Sequence, residues 1–223
     1  MKLLSKSEFL KESEKVMSDY YERLNSIEEL DLSQLNCDET ILVVMDMVKG
    51  FTDGGNLYSD RIEGIKNAVA DNMRKCSEKG IETICFCDCH TMDSTELSAF
   101  PPHCIVGSGE EEIADELKNI CSYKVIKKNS TNGFIEPEFE KWLRENSKVK
   151  NYIICGDCTD ICVMQFAQCA KAWYNSRNIQ SRIIVLTDST ETYDAPVHAA
   201  NFMNASALMH MECSGIELYS RLK

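Results

Sequence analysis

Residues 151–162 read NYIICGDCTDIC. Tyr152 to Cys155 is an apolar run without polar alternation, which predicts a strand buried on both faces, as in a parallel sheet covered by helices on either side. A short polar segment, Gly156 to Asp160, follows it, and then Phe166, Ala170 and Trp173 recur at helical spacing. Strand, turn and helix in that order form one β–α unit.

The same unit repeats outward in both directions. Further apolar runs stand at ILVVMD (41–46), TICFC (83–87), YKVI (123–126), RIIVLT (182–187) and, more weakly, GIEL (215–218). Helical patterns lie between them: Ile62, Ile65, Val69, Met73 and Cys76; Ile113 and Leu117; Phe139 and Leu143 behind Pro137; Phe202, Ala205 and Met209 behind Asp194 and Pro196. The alternation predicts an α/β fold, a three-layer α/β/α sandwich around a mostly parallel sheet of about six strands. Residues 1–37 read as a helical N-terminal extension. Ser5 and Glu8 have capping-box spacing, and Phe9, Val16, Tyr20, Leu24 and Ile27 recur every three to four or seven positions. Residues 38–223 read as one domain.

Composition narrows the function. The chain has 223 residues, 43% of them hydrophobic, which is enough for a substantial core. It carries 24 Lys and Arg against 36 Asp and Glu, a net charge of −12, with no basic run, so nucleic acid and anionic membranes are not expected partners. No apolar segment approaches the ~18 residues of a membrane span. Nothing in the first 30 residues has the apolar stretch and cleavage site of a signal peptide. The 12 cysteines do not form a secreted disulfide framework: Cys85, Cys87, Cys155 and Cys213 sit in or beside apolar runs as small hydrophobes. A reduced, cytoplasmic protein is expected. The amphipathic extension must bury its stripe on its own domain or on a second copy, so a homo-oligomer is an open expectation.

In such sheets ligands bind beyond the carboxyl ends of the strands. The strand ends here deliver Asp46, Asp88 with His90, Lys128 and, at the start of a helix, Cys162. Each alone has an ordinary structural explanation, as a capping acid, a solvated lysine or a buried helix-start cysteine. Together they supply a thiol nucleophile, a base and a neighbouring cation. The helix start would lower the thiol pKa and aim backbone N–H groups at an oxyanion.

The Asp of ILVVMDMVKGF, the Lys opening KNSTNGF and the Cys of GDCTDICV, in this order on this strand pattern, resemble the isochorismatase-like superfamily of cysteine hydrolases, and within it the nicotinamidases. The likeness spans residues 40–220. It implies that Asp46 takes the thiol proton and later protonates the leaving amine, that Lys128 holds the Asp and favours the thiolate, and that Cys162 attacks the amide carbon to form a thioester. It also implies a cis peptide at Asp157–Cys158, with the N–H groups of Cys158 and Cys162 forming the oxyanion hole. The substrate implied is nicotinamide, hydrolysed to nicotinate and ammonia in NAD salvage. Another amide or carbamoyl hydrolase using the same three residues is the alternative, and a non-catalytic regulatory relative a more distant one.

Asp88, His90, Glu96 and His103 bring two imidazoles and two carboxylates together within one short segment. A mixed N/O set with open positions suits a divalent metal in a catalytic role: zinc, with iron or manganese as alternatives. In nicotinamidases the matching elements carry the metal, and the pyridine nitrogen docks on it. Phe51 and Phe100 match family positions for ring-binding walls, with core packing as the competing reading. Val48 stands where many relatives have Gln, and Thr131 where an aromatic is common, which leaves the pocket's substrate open. No separate structural zinc site is expected, since Cys155-x-x-Cys158 has no second partner pair. His198 and His210 read as structural, on the helix after Pro196 and away from the motif loops.

Overall fold

A computed structural model describes residues 4–223; the first three residues of the extension lie outside them. Six strands form one parallel sheet: β1 (Thr40–Met45), β2 (Glu82–Asp88), β3 (Tyr123–Lys128), β4 (Asn151–Asp157), β5 (Arg182–Glu191) and β6 (Glu217–Tyr219), in the order β3-β2-β1-β4-β5-β6. Every residue of β1 and β4 is buried, as their unbroken apolar runs require. The order reverses direction between β1 and β4, and a crevice opens there beyond the strand ends.

Helices cover both faces. Helices α5 (Pro137–Glu145), α6 (Met164–Asn175) and α7 (Ala200–Cys213) pack on one side, where Phe86, Phe134, Phe139 and Phe166 meet edge to face. Short α3 (Asp60–Gly64) and α4 (Lys66–Glu78) cover the other, through Ile62, Val69, Met73 and Cys76. One turn, α2 (Lys49–Thr52), follows β1.

Helix α1 (Lys6–Asn25) begins with the capping box read from the sequence: the Ser5 hydroxyl accepts from the Glu8 N–H, and the Glu8 carboxylate accepts from the Ser5 N–H. Its C-terminal half rests on α7, with Tyr20 buried and Arg23 paired to Glu212 at 2.7 Å, while Phe9 and Val16 remain exposed. The next stretch is woven into the domain. Leu30 donates to Arg221 and accepts from Lys223, and Leu30, Leu32 and Leu35 are buried under α4's side of the sheet.

Three expectations need correction. Ile113 and Leu117 lie in turns, not in a helix; both are buried, and the segment is fastened by a bridge from Ile113 to Val48 and by Ala114 donating to Met47. Two apolar residues four apart suit a buried loop as well as a helix. Cys213 is exposed at the end of α7, because β6 starts four residues later; Cys85, Cys87 and Cys155 are buried on their strands. Phe202 is exposed, so α7 packs instead through Ala207, Leu208 and Met211. All 12 cysteines are unpaired thiols.

Candidate active site

The crevice at the end of β1 and β4 depends on close backbone contact. Gly156 has φ +110, and a Cβ there would lie 2.0 Å from the Met45 carbonyl oxygen. Any side chain would push the two strands apart. The residue after Met45 is Asp46, in the left-handed region at φ 52, which is uncommon for a non-glycine and turns the chain sharply as β1 ends.

Asp46 is fully buried. Its Oδ1 accepts from the Asp88 N–H at 2.9 Å, and its Oδ2 lies 2.9 Å from the Lys128 ammonium. Lys128, also fully buried at the end of β3, touches Asp88 Oδ1 as well and stands 3.6 Å from the Cys162 Sγ. Cys162 sits in a single π turn, Thr159–Val163, that leads into α6. One ammonium therefore joins both acids and the thiol.

These groups perturb one another. Burial, then the neighbouring Asp88, pushes the Asp46 carboxyl up to about 7 against the pull of Lys128. For Asp88 burial acts upward too, but the Lys128 ammonium outweighs it and holds the carboxyl well below its ordinary value. Lys128 is desolvated, yet the two carboxylates keep it firmly protonated. Burial pushes the Cys162 thiol well up, and Lys128 only partly offsets this. The helix start therefore does not bring this thiol below its ordinary value.

Asp88, His90, Glu96 and His103 converge, with one donor atom from each lying within 4.8 Å of the others. Glu96 comes from a short 3-10 turn, Thr95–Ser98. The two imidazoles are oriented by what their Nδ1 atoms bind: the Asn129 side-chain oxygen at 3.1 Å for His90 and the Pro101 carbonyl at 2.8 Å for His103. A ring that donates from Nδ1 presents the Nε2 lone pair. His90 Nε2 is buried with no hydrogen-bond partner, and it points at Asp88 (3.5 Å) and Glu96 (3.8 Å). An orphaned, inward imidazole nitrogen among carboxylates fits a bound first-row cation.

A cavity of about 540 Å³ joins the two clusters, lined by Asp88, Glu96 and His103 on one side and Cys158 and Cys162 on the other. Phe51 and Phe100 both line it, with ring centroids 5.7 and 6.1 Å from that of His103. Thr131 is also in the wall and donates to Gln165 at 3.0 Å. The Asp157–Cys158 peptide is cis.

Some wall residues were not singled out from the sequence. Asp157 and Tyr193 both line the cavity. His198 is not on α7 but in the loop before it, stacked on Tyr193 at 4.0 Å, with Nε2 2.8 Å from Asp160 Oδ2 in the turn that carries Cys162. This overturns its placement away from the motif loops; no local spacing could show it, because its partner stands 38 residues earlier. His210 is exposed on the last turn of α7.

A parallel sheet that gathers an acid, an ammonium and a thiol at its switch point has the architecture of the cysteine hydrolases. Residues 40–213 match the Isochorismatase domain family, and the chain belongs to it, as a hydrolase that uses cysteine. Among characterised proteins it is 29% identical to Nicotinamidase 1 of Arabidopsis thaliana over 185 residues, 74% of this chain and 75% of that one. Among solved structures, the pyrazinamidase of Pyrococcus horikoshii in complex with zinc is 25% identical, with TM-score 0.66 over 81% of this chain and 98% of that one. The pyrazinamidase/nicotinamidase of Streptococcus mutans (TM-score 0.68, 22% identity, 80% and 99% coverage) and the N-carbamoylsarcosine amidase of Thermoplasma acidophilum (0.66, 24%, 81% and 95%) share the fold. Among the described residues no helix is long and apolar enough to cross a membrane.

Proposed function

We propose that the protein is a metal-dependent nicotinamidase, hydrolysing nicotinamide to nicotinate and ammonia. The observation that carries this reading is the single cavity lined both by Cys162, which adjoins Lys128 and through it Asp46, and by Asp88, Glu96 and His103, which converge with His90. A flat ring between Phe51 and Phe100 would present its carboxamide to Cys162.

Asp46 removes the Cys162 proton, and the thiolate adds to the amide carbon, forming the C–S bond as the carbonyl electron pair moves to oxygen. The N–H groups of Cys158 and Cys162 receive that oxyanion. As the carbonyl re-forms, the C–N bond breaks and Asp46 returns its proton to the departing nitrogen, releasing ammonia. Water then adds to the thioester, giving a proton to Asp46; as the C–S bond breaks and the acid is released, Asp46 returns that proton to the departing sulfur and restores the thiol. Lys128 stays protonated throughout and keeps Asp46 and the developing thiolate within reach of one cation.

Asp88, His90, Glu96 and His103 would hold the metal, with zinc the best match to this donor set. A metal there supplies a Lewis-acid position that can take a ring nitrogen.

His103→Ala is expected to remove stoichiometric metal and to lower ammonia release from nicotinamide by about 100-fold or more. Elemental analysis and an ammonia assay check both. Wild-type protein that carries no metal and ignores nicotinamide, yet hydrolyses another amide or a ureido compound, would overturn the substrate and leave the cysteine chemistry standing.

A further inference from the structure

Asp157 is 1% exposed and lines the cavity one residue before Cys158. Its Oδ1 has a weak contact from the Cys158 thiol at 3.8 Å, and its Oδ2 is buried with no hydrogen-bond partner. Among the described residues lining the cavity, it is the one with a side-chain oxygen in that condition. Three other polar side chains in the wall are engaged: Asn56 donates to Pro102, Asp194 accepts from the Ala200 N–H, and Thr131 donates to Gln165. A buried acceptor left open costs stability, and proteins keep such groups where a ligand completes them.

Resting on the reading above, the carbonyl oxygen of the substrate faces the N–H groups of Cys158 and Cys162, and the ring extends toward Phe51, Phe100 and the metal-ligand side chains. The third substituent of the reacting carbon is the amide nitrogen. It carries two hydrogens, and Asp46 can face only one side of it. We propose that Asp157 is a specificity-determining residue that accepts the second N–H of the scissile group, so that the site selects primary carboxamides over esters and N-substituted amides. Burial, Asp46 and Asp88 push the Asp157 carboxyl well up, so it accepts as a neutral carbonyl and adds no further anion beside Asp46 and Asp88.

The experiment compares nicotinamide with methyl nicotinate, which has the same ring and carbonyl but no N–H. For Asp157→Leu the amide-to-ester ratio of kcat/KM is expected to fall about 10- to 100-fold, while Asp157→Asn, which retains an acceptor oxygen, keeps that ratio within about 5-fold of wild type. The Tm of Asp157→Leu should be equal to or above that of wild type, because an uncompensated buried carboxyl has been removed. A structural role predicts the opposite pattern: lower Tm, with amide and ester turnover falling together. That result, or an unchanged ratio in the Leu variant, overturns the proposal.

Failure of the nicotinamide reading is separable from this. If wild type ignores the pyridine pair, benzamide and methyl benzoate provide the same comparison, read also as protection of Cys162 from N-ethylmaleimide by mass spectrometry. Equal response to amide and ester in wild type for every pair overturns the assignment of Asp157.

Discussion

Cys162→Ser is expected to abolish amide hydrolysis, by about 10⁴-fold or more, and to leave the fold and the proposed metal-ligand cluster in place. The oxygen is smaller than sulfur and fits the same turn, so packing of the Thr159–Val163 segment is preserved. The loss comes from acidity. Asp46, held near 7, is strong enough to take a proton from a thiol but far too weak to take one from an alcohol. The variant should therefore melt within about 2 °C of wild type and, if nicotinamide is the substrate as proposed, bind it in a calorimeter and release no ammonia. Retention of more than a hundredth of the wild-type rate would show that the nucleophile lies elsewhere.

Lys128→Met has the second large effect, and it acts on both stability and rate. The ammonium is the sole cation contacting Asp46 and Asp88 among the described residues, and both acids are buried. Removing one partner of such a cluster leaves uncompensated charge and costs about 3–5 kcal/mol, equivalent to a Tm drop of roughly 6–20 °C for a chain of this size. Turnover should fall at least about 10³-fold, because the thiolate and the acid lose the charge that holds them together. Adding Asp88→Asn should restore part of the lost Tm without restoring turnover. A double-mutant cycle by thermal melting reads this coupling directly, and strictly additive Tm changes would refute the shared-cation arrangement.

The sheet was legible because parallel strands buried on both faces leave unbroken apolar runs, and Tyr152–Cys155 and Ile41–Met45 are such runs. The residues of the two clusters were legible because each ends or follows a strand, where this topology places its ligands. Contacts that cross the fold were not. Asp88 reads as a metal ligand from its spacing to His90, and nothing local shows that it also holds Lys128, 40 residues later. Asp157 looks like an ordinary turn acid until its burial and its unpartnered oxygen are seen. His198 shows the same limit, because its partners Asp160 and Tyr193 are set by tertiary packing. The Ile113–Leu117 segment erred in the other direction, since burial produces apolar spacing whether or not a helix forms.

The position of Lys128 should set the protein's tolerance to heat. It ends β3, an edge strand with a neighbour on one side only, along which Val125 and Lys127 are exposed and Lys124 is half-buried. A strand paired along a single side opens at lower cost than the interior of its sheet. The enzyme should therefore lose turnover reversibly below its melting temperature, as the margin detaches and withdraws the ammonium while β1 and β4 stay intact. Amide hydrogen exchange would show β3 opening first, and the working temperature would be set by the weakest seam of the sheet.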